Sequence, residues 1–292
     1  MTYPTYTHRI GEQTFEITLN NWAEQASGSV LVRVGDTTVL VTAVMSPNPR
    51  EGGDFFPLTV EYEEKYYATG KILGSRFIKR ETRPSEEATL AARAIDRSIR
   101  PRFNMRMRNE VQVVASILSI DDKNDPDVAA LLGASLALSL SDIPWQGPIA
   151  GVRVARREGA FVLTPSFEER SAGDMDVVVS GTKDRVNMIE AGANEITEAD
   201  FGAALEHGFA AIKELIAFQE GIIAKHGRAK RTVPLLTLAE PLAALLKNEF
   251  HADIEAAVYQ KDKQAMHASV SEVKVAWSAR AKSAHPDLYQ KN

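Results

Sequence analysis

The chain has no cysteine among its 292 residues. Disulfide bonds, thiolate metal sites and cysteine nucleophiles are therefore excluded, and the absence is typical of a reducing compartment. Long hydrophobic runs are also missing: residues 128–140, the longest apolar stretch, contain glycine and serine and fall short of the roughly 20 residues of a membrane span. Residues 1–10 carry no apolar segment of the kind found in secretory signals. We therefore expect a soluble, cytoplasmic protein with no membrane partner.

The common catalytic motifs are absent as well. The six histidines are scattered and form no zinc-binding spacing such as HExxH. Residues 70–75 (GKILGS) are not a P-loop, because no lysine follows the second glycine. Neither GxGxxG nor GxSxG occurs. Zinc hydrolases, P-loop nucleotide hydrolases, dinucleotide-dependent enzymes and serine hydrolases therefore have no support in the sequence.

Net charge is small, but the charge is unevenly distributed. The total of −5 by itself argues against a nucleic-acid partner. Between Lys71 and Arg108, however, eleven Lys and Arg residues stand against four Asp and Glu residues, a local charge of +7. The rest of the chain then carries −12, because −5 minus 7 is −12. Cationic charge concentrated in one stretch is typical of a surface that binds an anionic partner.

Alternation of apolar and polar residues predicts that the first part of the chain is rich in strands. Phe15, Ile17 and Leu19 follow this pattern. Two valine-rich runs flank Gly35-Asp36, which predicts a hairpin with a two-residue type II′ turn. Strands are expected at residues 30–34, 39–44, 56–62, 111–120, 177–179 and 186–189, with a second hairpin at residues 151–163.

Helix signals interrupt and then replace the strands. Ser85 can cap a helix that Pro101 ends, and Asp125 can cap a second helix with Pro126 at its first position. Helical periodicity then covers residues 197–225, and a basic segment at residues 227–234 predicts a linker. Further helices are expected at residues 238–250, 253–267 and 271–282. The sequence predicts an α+β domain, residues 1–230, followed by a small all-α domain, residues 231–292.

The sharpest candidate site is the motif Phe77-Ile78-Lys79-Arg80, flanked by Gly70 and Gly74. An aromatic ring beside two cations can stack on a base while the cations hold the neighbouring phosphates. The alternative is a surface loop whose phenylalanine packs inward and whose cations are only solvated.

A second candidate is a stripe of arginines on the helix that follows. Arg93, Arg97 and Arg100 are spaced i, i+4 and i+7 and fall within a roughly 60° arc. Guanidinium groups in such a stripe suit phosphate, because they bind it in bidentate fashion. The alternative is that these arginines pair with acids from elsewhere, with Asp96 nearby but off this face.

A third candidate is a pair of carboxylates, Asp174 and Asp176, just before a predicted strand. Two acids at i and i+2 point to one side of a strand and could hold Mg²⁺, which prefers oxygen ligands. They could equally be solvated residues at the entrance to the strand.

Three stretches together resemble the polynucleotide phosphorylase family. They are residues 54–62 (DFFPLTVEY), residues 77–80 (FIKR), and the segment that opens with Arg83-Pro84-Ser85-Glu86 and closes with residues 95–101 (IDRSIRP). Weaker agreement continues at residues 133–138 (GASLAL) and 178–182 (VVSGT). The resemblance covers residues 10 to about 225, and the helical tail agrees only in character.

This resemblance implies a fold, an activity and partners. Members of the family contain two ribonuclease PH-like domains, with the βαβ arrangement of ribosomal protein S5 domain 2, separated by a helical domain and followed by KH and S1 RNA-binding modules. They form ring-shaped homotrimers that degrade RNA, including mRNA, from its 3′ end with Mg²⁺ and inorganic phosphate, releasing nucleoside diphosphates. The chain then corresponds to an N-terminal fragment, the first ribonuclease PH-like domain plus the helical domain. Its implied partners are single-stranded RNA, other copies of the chain and proteins of an RNA-degradation complex.

The resemblance also implies roles for individual residues. The family's Phe-Phe-Arg-Arg-type loop grips RNA at the entry to the ring, and here Ile78 replaces the second aromatic, so one stacking surface is lost. RNA contact is implied for Arg76, Phe77, Lys79, Arg80, Arg83, Arg93, Arg97 and Arg100.

One departure from the family concerns catalysis. The active second domain of the family binds phosphate with a serine-rich loop at a helix start, where this chain has residues 121–127 (DDKNDPD). Carboxylates there would repel phosphate, since two unit charges ~4 Å apart interact by ~4 kcal/mol at an effective dielectric of 20. We therefore expect no catalytic residue and no bound Mg²⁺ in this chain, with Asp174 and Asp176 as a relic of a metal site. Two alternatives are a catalytically active ribonuclease PH-type domain that uses these two acids, and a purely structural ring subunit.

Overall fold

The computed structural model describes residues 3–72 and 83–289. The chain divides into two compact units, Met1–Pro234 and Leu235–Asn292. The middle of the expected linker, residues 227–234, is fastened to the first unit. Lys230 Nζ donates hydrogen bonds to the carbonyl oxygens of Leu138, Ser139 and Ser141 at 2.7–3.0 Å.

A six-stranded sheet forms one layer of the first unit. Its strands are β1 (Thr5–Ile10), β2 (Gln13–Leu19), β3 (Gly28–Val34), β4 (Thr37–Pro49), β5 (Leu58–Glu64) and β6 (Asn109–Ser119), in the spatial order β1-β2-β3-β4-β6-β5. β5 and β6 are parallel, whereas the other neighbours are antiparallel. The carboxyl ends of β5 and β6 therefore meet at one edge of the sheet.

The predicted hairpin between β3 and β4 is confirmed. Val34 pairs with Thr37, and Gly35 has a φ of 60°, a left-handed conformation that glycine adopts without strain. A Cβ on Gly35 would also lie 2.3 Å from Asn124 Nδ2 and 2.7 Å from Asp121 Oδ2. Glycine is therefore required both by the turn and by the segment packed against it.

A four-stranded antiparallel sheet forms the second layer. It contains β7 (Ala150–Arg157), β8 (Ala160–Leu163), β9 (Met175–Gly181) and β10 (Val186–Ala193), in the order β10-β9-β7-β8. The predicted hairpin at residues 151–163 is confirmed as β7 and β8, with Glu158 and Gly159 both at positive φ in its turn.

The described part of the first unit also contains the helices α1 (Glu86–Ile99), α2 (Pro126–Leu140), α3 (Phe167–Ala172) and α4 (Glu198–His226). α2 packs against β3 and β4 of one sheet and against β7 of the other. All of its residues except Asp127 and Leu140 are buried. This position explains why α2 is apolar on every side, as expected of a helix with no solvent face.

The helix caps follow the sequence signals. The side chain of Ser85 accepts a hydrogen bond from Ala88 N, and that of Asp125 accepts one from Asp127 N, as predicted. α1 ends at Ile99, two residues before Pro101, and residues 100–102 continue as a 3₁₀ turn. α3 was missed by the sequence analysis, although Ser166 and Glu169 form a capping box at its start.

The second unit contains α5 (Glu240–Glu249), α6 (His251–Val258), α7 (Lys263–Ala284) and α8 (Pro286–Tyr289). The predicted helices at residues 253–267 and 271–282 are wrong in their boundaries, because α6 ends at Val258 and α7 runs without a break from Lys263. Asp262 caps α7 by accepting a hydrogen bond from Ala265 N. Across residues 3–72 and 83–289, no helix has the length and apolar character that crossing a membrane requires.

Candidate nucleic-acid interface

The cationic loop expected from the sequence, residues 77–80, falls between the two described parts of the chain. Arg76, Phe77, Lys79 and Arg80 lie outside the described residues, and their role stays a prediction. Arg83 is described and exposed, two residues before the Ser85 cap of α1. The described part of the candidate interface therefore consists of Arg83 and α1.

α1 presents an apolar face to the sheets and an arginine face to solvent. Ala91, Ile95 and Ile99 are buried, as predicted, and the helix packs on β5 and β10. Because burial of this face fixes the rotation of the helix, Arg93 and Arg97 on the other side are both exposed.

These two arginines keep most of their charge available. Arg97 Nη1 lies 3.9 Å from Glu190 Oε2, and both side chains are about half exposed, at 53% and 45%. Exposed ion pairs at that distance contribute little, typically ~0–1 kcal/mol. No hydrogen bond or ion pair to Arg93 is formed by residues 3–72 or 83–289. Arg93 and Arg97, spaced i and i+4, can therefore bind consecutive anionic groups.

Arg100 does not belong to this open face, which corrects its expected place in the RNA-binding stripe and favours the alternative that it pairs with an acid. The Arg100 guanidinium donates to both carboxylate oxygens of Asp96, at 2.8 and 2.6 Å. It also donates to the carbonyl oxygens of Leu58, at 3.1 Å, and Phe56, at 3.4 Å. Its charge is satisfied within the protein, so Arg100 fastens the end of α1 to the start of β5.

Asp174 and Asp176 are held by different arginines, which argues against the alternative in which the two acids together hold a metal. Asp174 precedes β9 and accepts a bidentate pair of hydrogen bonds from Arg156, at 2.9 and 2.7 Å. Arg156 also reaches Asp200 at 2.8 Å. The hydrogen bond from Arg156 lowers the pKa of Asp174, so this carboxylate stays ionised and engaged.

Asp176 belongs to a separate group of charges at the N-terminus of α2, which we call the acid–arginine cluster. Arg153 lies 3.1 Å from Asp125, 3.2 Å from Asp127 and 2.8 Å from Asp176. Arg170 contacts Asp125 and lies 3.0 Å from Asp176. Burial alone would lower the pKa of Arg153, but the three carboxylates raise it above its ordinary value. Arg153 therefore remains charged.

The sequence analysis missed Arg153 and Arg170, although the residues next to them gave a signal. Every residue from Ala150 to Ala155 is buried, because α2 and α4 both pack against β7. A strand with two covered faces should be apolar throughout, so an arginine in its middle indicates a buried partner of opposite charge.

The carboxylates expected at residues 121–127 do occupy the start of α2. Besides Asp125, the helix cap, Asp121 accepts hydrogen bonds from the backbone N–H groups of Asp36, Lys123 and Asn124 at 2.7–2.9 Å. Burial tends to raise the pKa of Asp121, but these hydrogen bonds outweigh it and lower the pKa to about 2. Asp121 therefore carries a full negative charge where the resemblance would place a phosphate group.

Mg²⁺, which the resemblance implies for the family, does not fit these acids. Asp174 is committed to Arg156, and Asp176 is held by Arg153 and Arg170. A divalent cation at either carboxylate would lie against a guanidinium group that already neutralises it. Residues 3–72 and 83–289 contain no group of three or more His, Asp or Glu side chains arranged to hold a metal.

A cavity of about 890 Å³ lies at the carboxyl ends of β5 and β6, beside the start of α1. Arg83 and Ser85 line it on the side of α1, and Tyr62 lines it on the side of the sheet. The Tyr62 hydroxyl donates a hydrogen bond to Asp127 Oδ1 at 3.1 Å. One wall of this cavity is therefore fixed by the acid–arginine cluster.

Solved structures share the architecture. An RNA-bound exosome from Archaeoglobus fulgidus is 23% identical, with a TM-score of 0.55 over 72% of this chain and 87% of that one. Rrp46 from rice is 15% identical, with a TM-score of 0.57 over 76% of this chain and 96% of that one. At these identities the similarity shows the fold alone.

Sequence comparison identifies the family. Residues 12–144 match domain 1 and residues 147–211 match domain 2 of the 3′ exoribonuclease family. The polyribonucleotide nucleotidyltransferase of Heliobacterium modesticaldum is 48% identical over 92% of this chain and 38% of its own length, and that of Anoxybacillus flavithermus is 50% identical over 88% and 36%. The chain thus spans less than two fifths of the length of these relatives. With two consecutive family domains and close to half of its residues identical to those relatives, the chain belongs to the 3′ exoribonuclease family, among the polyribonucleotide nucleotidyltransferases.

Proposed function

We propose that this chain is the RNA-gripping half of a 3′-to-5′ phosphorolytic exoribonuclease, and that the phosphorolytic site itself lies elsewhere in the full-length enzyme. The observation that carries the proposal is the open arginine face of α1. Arg93 and Arg97 are exposed and almost unpaired within the described residues, next to a segment rich in further cations. Such a face binds the phosphate groups of a single strand without reading its sequence.

The acids of the first unit support the second half of the proposal. Residues 121–127 place carboxylates at the helix start that an attacking phosphate would need, and helix N-termini are favourable anion sites only when no carboxylate fills them. Asp174 and Asp176 are neutralised by arginines instead of being open to a metal. Mg²⁺ and inorganic phosphate therefore act in the part of the full-length enzyme that this chain does not contain.

A ring is the natural setting for such a face, because one arginine pair per chain gives only a short grip on RNA. A homotrimer would place three copies of α1 around one strand and raise the local cation concentration. Analytical ultracentrifugation of the chain should then show a trimer. A monomer at every concentration would confine the trimer to the full-length enzyme.

The RNA grip is tested by removing the open charges and comparing a matched change elsewhere. The double variant Arg93→Gln/Arg97→Gln should weaken the binding of oligo(A), measured by fluorescence anisotropy. The slope of log affinity against log salt should fall by ~0.7 for each lost phosphate contact, since each contact releases a condensed counterion.

The control is Arg33→Gln/Arg50→Gln, which removes the same charge from two exposed arginines that pair with Asp36 and Glu110. It should leave the salt slope close to that of the unmodified chain. Equal losses in both double variants would indicate a general charge effect, and no loss in either would favour the purely structural ring subunit.

Catalysis is tested on the chain itself. Incubated with poly(A), Mg²⁺ and phosphate, it should release little or no ADP. Robust ADP release that disappears in Asp174→Asn/Asp176→Asn would instead establish a catalytic ribonuclease PH-type domain in this half.

A further inference from the structure

The acid–arginine cluster joins elements of both sheets at one point. Asp125 and Asp127 lie at the N-terminus of α2, Arg153 on β7, Arg170 on α3 and Asp176 on β9. Through the Tyr62 hydroxyl the cluster also reaches β5 in the six-stranded sheet. The connection is polar and lies beside the apolar core, so its strength depends on charge balance.

The charges of the cluster do not balance when all groups are ionised. Among residues 3–72 and 83–289, three carboxylates meet two guanidinium groups, which leaves one negative charge without a counter-charge from those residues. Isolated charge away from water is costly, and proteins avoid the cost by pairing the group or by protonating it.

Asp127 is the carboxylate with the least compensation. Asp125 and Asp176 each contact both arginines, whereas Asp127 contacts only Arg153, at 3.2 Å. Asp127 also lies beside the carboxylate of Asp125, and its remaining hydrogen bond comes from the neutral hydroxyl of Tyr62, at 3.1 Å.

We propose that the cluster holds one proton up to neutral pH, carried by Asp127 and donated in a hydrogen bond to Asp125, and that this proton fastens the N-terminus of α2 to both sheets. The proton acts where a third cation would otherwise be needed. When it leaves, Asp127 and Asp125 repel each other across the cap of α2, and the hydrogen bond from Tyr62 becomes a bond to a full negative charge.

The titration of Asp127 agrees with this geometry. Burial and the adjacent Asp125 raise the pKa of Asp127 to about 7, although Arg153 and the Tyr62 hydroxyl act to lower it. About a third of the side chain, 33%, is accessible, so the proton can exchange with water without unfolding. The charged or titratable groups that face Asp127 are Tyr62 on β5, Asp125 on α2 and Arg153 on β7, with Glu64, Arg170 and Asp176 behind them.

The proton links this connection to pH in a defined direction. Because the pKa of Asp127 is raised in the folded chain, from 3.8 to about 7, the folded chain holds a proton that the unfolded chain has released in that window. The contribution of Asp127 to stability therefore falls as pH rises from about 4 to 7, by up to tenfold in the unfolding equilibrium constant per pH unit, and levels off above 7.

The proton can be observed directly. Infrared difference spectroscopy of the whole chain between pH 6 and pH 8 should show the carbonyl stretch of one protonated carboxyl group disappear. The band should be absent in Asp127→Asn, because asparagine mimics the protonated form and can donate to Asp125. Urea denaturation of this variant at several pH values between about 4 and 7 should show a weaker pH dependence. The change in the unfolding equilibrium constant should be smaller than in the unmodified chain by up to tenfold per pH unit.

Two conservative variants should shift, in opposite directions, the pH at which half of the carboxyl band is lost. They keep the test valid if Asp127→Asn folds poorly. Tyr62→Phe removes a hydrogen bond that favours the charged form, so the midpoint should rise above that of the unmodified chain. Asp125→Asn removes the neighbouring negative charge and can still cap α2, so the midpoint should fall.

Asp174→Asn serves as the control, since its carboxylate pairs with Arg156 outside the cluster and should leave the band and its midpoint unchanged. A band that persists in Asp127→Asn and vanishes in Asp176→Asn would overturn the proposal. So would a band that is lost on addition of Mg²⁺ at pH 6, because a cation would then be the natural counter-charge.

Discussion

The arginines on α1 and the arginine packed against the start of α2 have opposite environments. On α1, Arg93 and Arg97 are exposed, and the ion pair that the described residues make with them joins Arg97 to Glu190 at 3.9 Å. At the start of α2, Arg153 is almost fully buried, with 9% of its side chain accessible, and contacts three carboxylates at 2.8–3.2 Å.

This difference shows that cationic residues do not by themselves make a binding surface. The charge that can bind a ligand is the charge that the fold leaves unpaired. Arg100 shows the same difference next to α1. It belongs to the same sequence stripe as Arg93 and Arg97, yet its guanidinium group is hydrogen-bonded to Asp96 and to two carbonyl groups.

The largest expected effect separates a buried arginine from an exposed one. Arg153→Met leaves three carboxylates with one guanidinium, and removing one partner of a buried charge group typically costs about 3–5 kcal/mol. Arg97→Met should change the free energy of unfolding by less than ~0.5 kcal/mol. Urea denaturation measures both. Similar losses of unfolding free energy in the two variants would show that the buried, paired arginine and the exposed arginine do not differ in their contribution to stability.

Arg100 provides the next largest effect and places this residue on the structural side of the comparison. Arg100→Met should lower the free energy of unfolding by about 1.5–3 kcal/mol, because hydrogen bonds to a charged group and to two buried carbonyls are lost. Affinity for oligo(A), measured on the folded variant, should change less than in Arg93→Gln/Arg97→Gln. A larger loss of affinity in Arg100→Met would return Arg100 to the RNA-binding face.

The cap of α1 gives a smaller effect. Ser85 Oγ accepts from Ala88 N at 2.9 Å and donates to Glu64 at 2.7 Å. Ser85→Ala should cost about 1 kcal/mol of unfolding free energy, and thermal denaturation would detect it. Ser85→Thr retains the cap and should recover most of the loss, whereas no recovery would mean that the contact with Glu64 matters more than the cap.

Acid pH should give the smallest effect, opposite in sign to that of Asp127. The pKa of Asp121 is lowered to about 2 from 3.8, so its contribution is complete above the unfolded pKa and is lost as pH falls from about 4 to 2. Asp121→Asn should flatten the acid limb of stability between these values. An unchanged acid limb would show that the hydrogen bonds of Asp121 do not stabilise its ionised form.

Sequence patterns predicted the parts of the fold that depend on local chemistry. The β3–β4 hairpin follows from Gly35, and the starts of α1 and α2 follow from Ser85 and from Asp125. The buried face of α1 follows from apolar residues at helical spacing. α3 was not predicted because six residues give too little periodicity. The boundary between α6 and α7 was predicted wrongly because Asp262, a helix cap, was assigned to the interior of a helix.

The sequence by itself determined the alternation of strands and helices, the arginine spacing on α1 and the acids that begin α2, because each depends on residues close together along the chain. Only the tertiary structure decided which of these charges stay open. Asp96 and Arg100 are held against β5, and Arg153, Arg170 and Asp176 converge on α2 from three different elements. Coulomb interactions weaken with distance through space, irrespective of separation along the chain, so the pairing of charges became defined only when the two sheets closed around α2.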